Sequence, residues 1–201
     1  MIHSMENSIK IGNHYYDINS EHFCLKREQS LSYINDLPLL NQFPNLTSAS
    51  FSCSNLNDDG LAHISDCRKI EYLDVQDTEI TNEGIKHLKK LENLKYLRLK
   101  ENSQLTNDCI PDLAALDFLF DLQIHETSIN EEGLKKFVAL KNLEIYCFLE
   151  NICINIRDNN YTFEGLLDIS KKIPDCAILA KGNGEFLNGT FDGKWRHQKR
   201  E

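Results

Sequence analysis

The sequence lacks any run near the roughly 18 consecutive apolar residues of a membrane span, so no transmembrane helix is expected. Its first residues, MIHSMENSIKIG, hold no basic stretch followed by an apolar one, so no secretory leader is expected. Basic residues are scarce: 22 Lys and Arg stand against 31 Asp and Glu, a net charge of −9. A phosphate-backbone binder needs a basic face, and this balance argues against nucleic acid. CxxC pairs are absent. The seven cysteines (24, 53, 67, 109, 147, 153 and 176) are odd in number and dispersed. That pattern suits reduced thiols in the cytoplasm rather than disulfides or a zinc site. Phosphate-binding, dinucleotide, zinc-protease and nucleophile-elbow motifs are missing, and so is any calcium loop of the D-x-[DN]-x-[DN]-G kind. No catalytic, metal or cofactor site is expected.

What is present is ordinary for one globular domain: 201 residues, 41% apolar and 26% charged. Self-similarity organises it. Residues 46–67 read LTSASFSCSNLNDDGLAHISDC, 70–91 IEYLDVQDTEITNEGIKHLKKL, 94–116 LKYLRLKENSQLTNDCIPDLAAL and 119–140 LFDLQIHETSINEEGLKKFVAL. A fifth copy opens at Leu143 with LEIYCFLENIC. Starts at 46, 70, 94, 119 and 143 give a period of 24 with a single slip near Ser103. Inside each unit an apolar period of two (Leu73, Val75) gives way to a period of three (Ile85, Leu88, Leu91). The first reads as a short strand and the second as a short helix. Asn57-Asp58-Asp59, Thr81-Asn82-Glu83, Asn107-Asp108 and Asn130-Glu131-Glu132 precede the helices and suit their N-termini.

The pattern L-x-x-L-x-L-x-x-(N/T)-x-I followed by T-N-E-G-(I/L)-x-x-L resembles the leucine-rich repeat family, in its bacterial and cysteine-containing variants. The resemblance implies an α/β leucine-rich-repeat solenoid: a short arc with a parallel concave β-sheet, convex helices and a cap at each end. One domain is expected over 1–201. Residues 1–43 form the N-terminal cap and a degenerate first repeat, and 44–151 the regular repeats. A degenerate last repeat covers 152–180, and a C-terminal hairpin cap and tail covers 181–201. Ile9 to Tyr16 reads as a small hairpin, and 154–161 as an insertion. Two Asn-Gly pairs, at 183 and 188, signal hairpin turns.

In this frame Tyr72, Asp74 and Gln76, then Tyr96, Arg98 and Lys100, then Asp121, Gln123 and His125 point out of the concave sheet. Tyrosine and arginine are enriched as interface anchors, so this face is the candidate partner surface. The bland alternative is a solvated polar face. Just past each strand stands a column of acids, Asp77, Glu101, Glu126 and Glu150. Like charges on adjacent coils repel unless a cation or basic partner meets them, or solvent screens them. His125 and Cys147 fall on adjacent units as a thiol–imidazole pair, but an open repeat surface offers no pocket. Cys67, Cys109, Cys153 and Cys176 occupy apolar repeat positions and read as small core residues.

Leucine-rich repeats are typically protein-binding scaffolds. The resemblance therefore implies a non-enzymatic protein–protein interaction module with no nucleic-acid, membrane or small-molecule partner. A small acidic binder suits neutralising a basic protein such as a toxin, the task of an immunity protein. The alternative is an adaptor or bacterial effector that grips a host protein through the concave face. Most of the charge sits in the repeats: residues 44–150 carry 19 acidic and 11 basic side chains, net −8.

Overall fold

The computed structural model describes residues 7–26, 31–141, 153–156, 161–173, 176–180 and 182–195. Strands β1 (Ser8–Ile11) and β2 (His14–Asp17) form a two-stranded antiparallel hairpin that turns at Gly12, whose φ of 58° suits glycine. The hairpin is tied down in two places. Gly12 N donates to Asp36 at 2.9 Å, and the Tyr16 and Phe23 rings lie 4.7 Å apart.

The remaining strands form one sheet. In it β3 (His22–Cys24), β4 (Ser48–Ser50), β5 (Tyr72–Asp74), β6 (Tyr96–Arg98), β7 (Asp121–Gln123), β8 (Cys153–Ile156) and β9 (Ala177–Ala180) follow one another and pair in parallel. The register runs Ser48, Tyr72, Tyr96, Asp121, so the 24-residue period becomes a row across the sheet, and the slip near Ser103 is absorbed before β7. Alternation puts Ala49, Leu73, Leu97 and Leu122 on the core side, each no more than 1% exposed. Val75, Leu99 and Ile124 continue the same side, and each buried side chain of this size contributes about 1.5–3 kcal/mol.

Strands β4 to β8 each lead into a helical turn on the other side of the core. These are α1 (Asp58–Ile64), α2 (Asn82–Ile85, continued as a 3-10 helix through Lys90), α3 (Ile110–Ala114, preceded by a 3-10 turn Asn107–Cys109), α4 (Glu131–Lys141) and α5 (Phe163–Lys172). A 3-10 helix with Pro38 inside it, Leu31–Gln42, precedes β4. Asn57, Thr81, Thr106 and Thr162 cap the helical turns by accepting from backbone N–H groups, which satisfies donors that a helix start leaves orphaned. A second set of bonds joins the units. Asp58 accepts from Thr81 N and Oγ1, Asn82 from Thr106 N, Asn107 from Asn130 N, and Glu131 from Thr162 N and Oγ1.

Glu131 makes this ladder sensitive to pH. Burial opposes its charge. The hydrogen bonds from Thr162 Oγ1 (2.6 Å) and N (2.9 Å), with Lys135 at 2.9 Å, outweigh that and hold the carboxyl below its ordinary value. A lowered folded pKa contributes stability that is present above the unfolded value and lost as pH falls through the folded one. Urea unfolding at stepped pH should therefore show the wild type losing its advantage over Glu131→Gln between about pH 5 and about pH 3. An advantage that stays constant across that interval would show that the carboxylate is not selectively held.

Two expectations are corrected. The architecture is not the leucine-rich-repeat solenoid arc with a parallel concave sheet, convex helices and separate end caps. It is a mixed α/β fold in which one sheet combines parallel and antiparallel pairing, beside the separate β1–β2 hairpin. Parallel neighbours need a crossover of a dozen or more residues. After β9 the connections are only 181–183 and 188–189, so β10 (Gly184–Leu187) and β11 (Thr190–Gly193) return antiparallel. Asn188 and Gly189, at φ 51° and 72°, make the tight turn between them. Phe163 from α5 meets Phe186, Phe191 and Trp195 at 5.2–5.7 Å and closes this end of the core.

The second correction concerns the strand beside β7. The copy opening at Leu143 was expected to supply it, with 154–161 as an insertion. The partner of β7 is instead β8, Cys153–Ile156, whose alternating isoleucines favour extended chain. The expected strand around 145–149 lies outside the described residues.

Candidate interaction face on strands β5 to β7

Opposite the core, the outward row at the start of β5 to β7 is aromatic. Tyr72 and Tyr96 rings lie 6.4 Å apart, and Tyr96 meets Phe120 edge-on at 5.5 Å. Tyr96 is 40% exposed, while Tyr72 and Phe120 are half-buried. The next outward row is polar. The Arg98 guanidinium lies 5.4 Å over the Tyr72 ring, with Nη1 3.6 Å from Asp74 Oδ2. Asp74 Oδ1 accepts from Gln76 N at 3.1 Å, and Gln76 Nε2 donates to Glu101 Oε1 at 2.8 Å. A continuous chain of contacts thus runs from Tyr72 through Arg98, Asp74 and Gln76 to Glu101. Burial raises the Tyr72 hydroxyl pKa, with Arg98 opposing and Asp74 and Asp121 adding to the rise. The phenol is therefore a neutral donor at physiological pH.

Past each strand the backbone turns a left-handed corner. Cys53, Asp77, Glu101 and Glu126 have φ of 56°, 51°, 63° and 60°. For residues other than glycine this conformation costs roughly 1–2 kcal/mol each. The residue that follows locks each corner by donating to the carbonyl three residues back. Ser54 bonds Phe51 O at 2.6 Å, Thr78 bonds Val75 O at 3.0 Å, Asn102 bonds Leu99 O at 2.9 Å and Thr127 bonds Ile124 O at 2.7 Å. The corner pushes the side chains of Asp77, Glu101 and Glu126 outward, and all three are exposed.

The candidate site residues thus separate by environment. Tyr96, Asp77, Glu101 and Glu126 are exposed. Tyr72, Gln76, Arg98, Lys100, Asp121 and Gln123 are half-buried. Asp74 and His125 are buried, at 7% and 4% exposure, although alternation points both outward. Glu150 lies outside the described residues, and so does Cys147.

Phe120 belongs to the aromatic row but escapes the in-register reading, which gives that place to Asp121. A signal was available, since 72, 96 and 120 keep an unbroken spacing of 24. Cys67 and Cys109 are poor nucleophiles: burial pushes their thiols up to about 12. A cleft of about 230 Å³ between Leu91, Leu94 and Phe118 is smaller than the about 300–1,000 Å³ of small-molecule sites. Among the described residues no His, Cys, Asp or Glu group is placed to hold a metal ion, and no helix is long and apolar enough to cross a membrane. No protein-family model matches the sequence, and no curated protein matches it.

Proposed function

We propose that this chain is a non-enzymatic protein-binding module whose working surface is the outer face of β5 to β7. The observation that carries the proposal is the run Tyr72–Tyr96–Phe120 with Arg98 stacked on its first member. Aromatic rings and arginine supply large, rigid contact area and dominate binding energy where they cluster. The exposed carboxylates of Asp77, Glu101 and Glu126 beside that row favour a basic partner, as does the −9 net charge. The likeness of the repeat sequence to leucine-rich repeats, a family of protein-binding scaffolds, supports the same reading. A small acidic binder of this kind serves to neutralise a basic protein such as a toxin. Its place is the cytoplasm, where the exposed thiols of Cys24 and Cys53 stay reduced.

The test is a pull-down with the full chain, followed by titration of the captured protein against wild type and the triple variant Tyr72→Ala, Tyr96→Ala, Arg98→Ala. The triple variant should bind at least about tenfold more weakly with its thermal unfolding little changed, and wild-type affinity should fall with added salt. Undiminished binding by a folded triple variant would reject this face.

A further inference from the structure

The two rows on this face have a geometry that distinguishes one kind of basic partner from another. Register aligns Tyr72, Tyr96 and Asp121 on consecutive strands, so Asp77, Glu101 and Glu126 each follow their strand by the same offset. Shared left-handed corners keep that offset equal. Parallel neighbours lie about 4.8 Å apart, so the first and third acids are separated by about 9.6 Å across the strands. On an α-helix, positions i, i+3 or i+4, and i+7 share a stripe and fall at about 0, 4.5–6 and 10.5 Å along its axis. On an extended strand, same-face residues fall at about 0, 6.6 and 13 Å, which overshoots the acids by a third. The width agrees as well. Asp77 lies five positions after Tyr72, and Glu101 five after Tyr96, at most about 17 Å of extended chain and less after the corner. A helix with side chains is about 10–12 Å across.

We infer that the occupant of this face is an α-helix of the basic partner, lying across β5, β6 and β7, with a lysine or arginine stripe against Asp77, Glu101 and Glu126 and an apolar flank on Tyr72, Tyr96 and Phe120. This rests on the basic-partner reading above and adds the partner's conformation and orientation. Arg98, between the two rows, does not oppose a cationic helix, because Asp74 lies against it. Lys100 lies nearer the acids and sets a further requirement: the helix position above it is apolar or acidic.

The probe is a set of three labelled peptides of about 16 residues, the first two of one composition, long enough to be marginally helical in water. The first carries lysines at i, i+4, i+7 and i+11 with a flanking leucine stripe. The second has the same residues alternating with period two. The third is the first with a central proline. Fluorescence anisotropy with the intact chain should show the helical peptide binding at least about tenfold more tightly than the other two, with most of that lost near 0.5 M salt. Tyr96→Ala, or the combined Asp77→Asn, Glu101→Gln and Glu126→Gln variant, should each remove the preference. Glu83→Gln, on the helical side of the molecule, should leave it intact. If the alternating peptide binds as well as the helical one, the helix inference fails and the basic-partner reading survives. If no lysine peptide outbinds a neutral control, both fail.

Discussion

Replacing Asn102 with alanine is expected to destabilise the protein by about 3–5 kcal/mol, the largest effect of any polar substitution in the repeats. Asn102 is fully buried one residue past the Glu101 corner. Its Oδ1 accepts from Thr78 N at 2.9 Å and shares the single Thr78 Oγ1 proton with Val75 O, each at 3.0 Å, and its Nδ2 donates to Val75 O at 2.8 Å and Leu99 O at 2.9 Å. One side chain therefore closes its own corner and binds the corner of the preceding unit. Alanine leaves Thr78 N and Leu99 O buried without these partners, at about 1–3 kcal/mol each, and adds a small void. Val75 O keeps the bond from Thr78 Oγ1, which limits the damage. Thr127 holds the equivalent corner with a short bond to Ile124 O and accepts from Ile129 N at 3.3 Å within its own unit, and Thr127→Ala should cost only about 1–2 kcal/mol. In a chain of this size the Asn102 loss corresponds to a fall in Tm of about 6–20 °C. A drop no larger than that of Thr127→Ala would mean that the bridge between corners contributes nothing.

How much of this was legible in the sequence differs from residue to residue. Strands β4 to β7 are readable because Ala49/Phe51, Leu73/Val75, Leu97/Leu99 and Leu122/Ile124 repeat two apart at a fixed period, and burial is the physical reason for such pairs to recur. Pairing direction at the end of the sheet is not in that pattern. It follows from the short connections at 181–183 and 188–189, and the Asn-Gly signal there marks turns without saying that they extend the main sheet. Alternation gives the face of Asp74 and His125 but not their exposure, since neighbouring side chains cover them, as Arg98 does for Asp74. The left-handed corners leave no trace in residue type, because Cys, Asp and Glu stand where Gly or Asn would be expected. What is visible is the polar residue after each corner, Ser54, Thr78, Asn102 and Thr127, although its spacing does not tell which of them reaches into the unit before.

Gly84→Ala is expected to cost about 2–3 kcal/mol, against the usual direction for a helical site. Alanine normally gains up to about 1 kcal/mol over glycine inside a helix, so helix propensity alone predicts a more stable protein. At Gly84 a Cβ would collide with Asp58 Oδ1 and lie 3.1 Å from Asp58 Cγ. That carboxylate has nowhere to retreat without breaking its bonds to Thr81 N at 2.7 Å and Thr81 Oγ1 at 2.6 Å, which hold the start of α2 against α1. The same crowding recurs at Gly133, where a Cβ would meet Asn107, and at Gly165, where it would meet Glu131. The repeat that carries Cys109 in place of glycine opens with a 3-10 turn, Asn107–Cys109, before α3 begins. A double-mutant cycle isolates the cause. With Asp58→Ala already in place the collision is gone, and adding Gly84→Ala should be neutral or stabilising in urea unfolding. If Gly84→Ala stabilises the protein with Asp58 present, the glycine does not serve the bond between units, and its recurrence at 60, 84, 133 and 165 needs another cause.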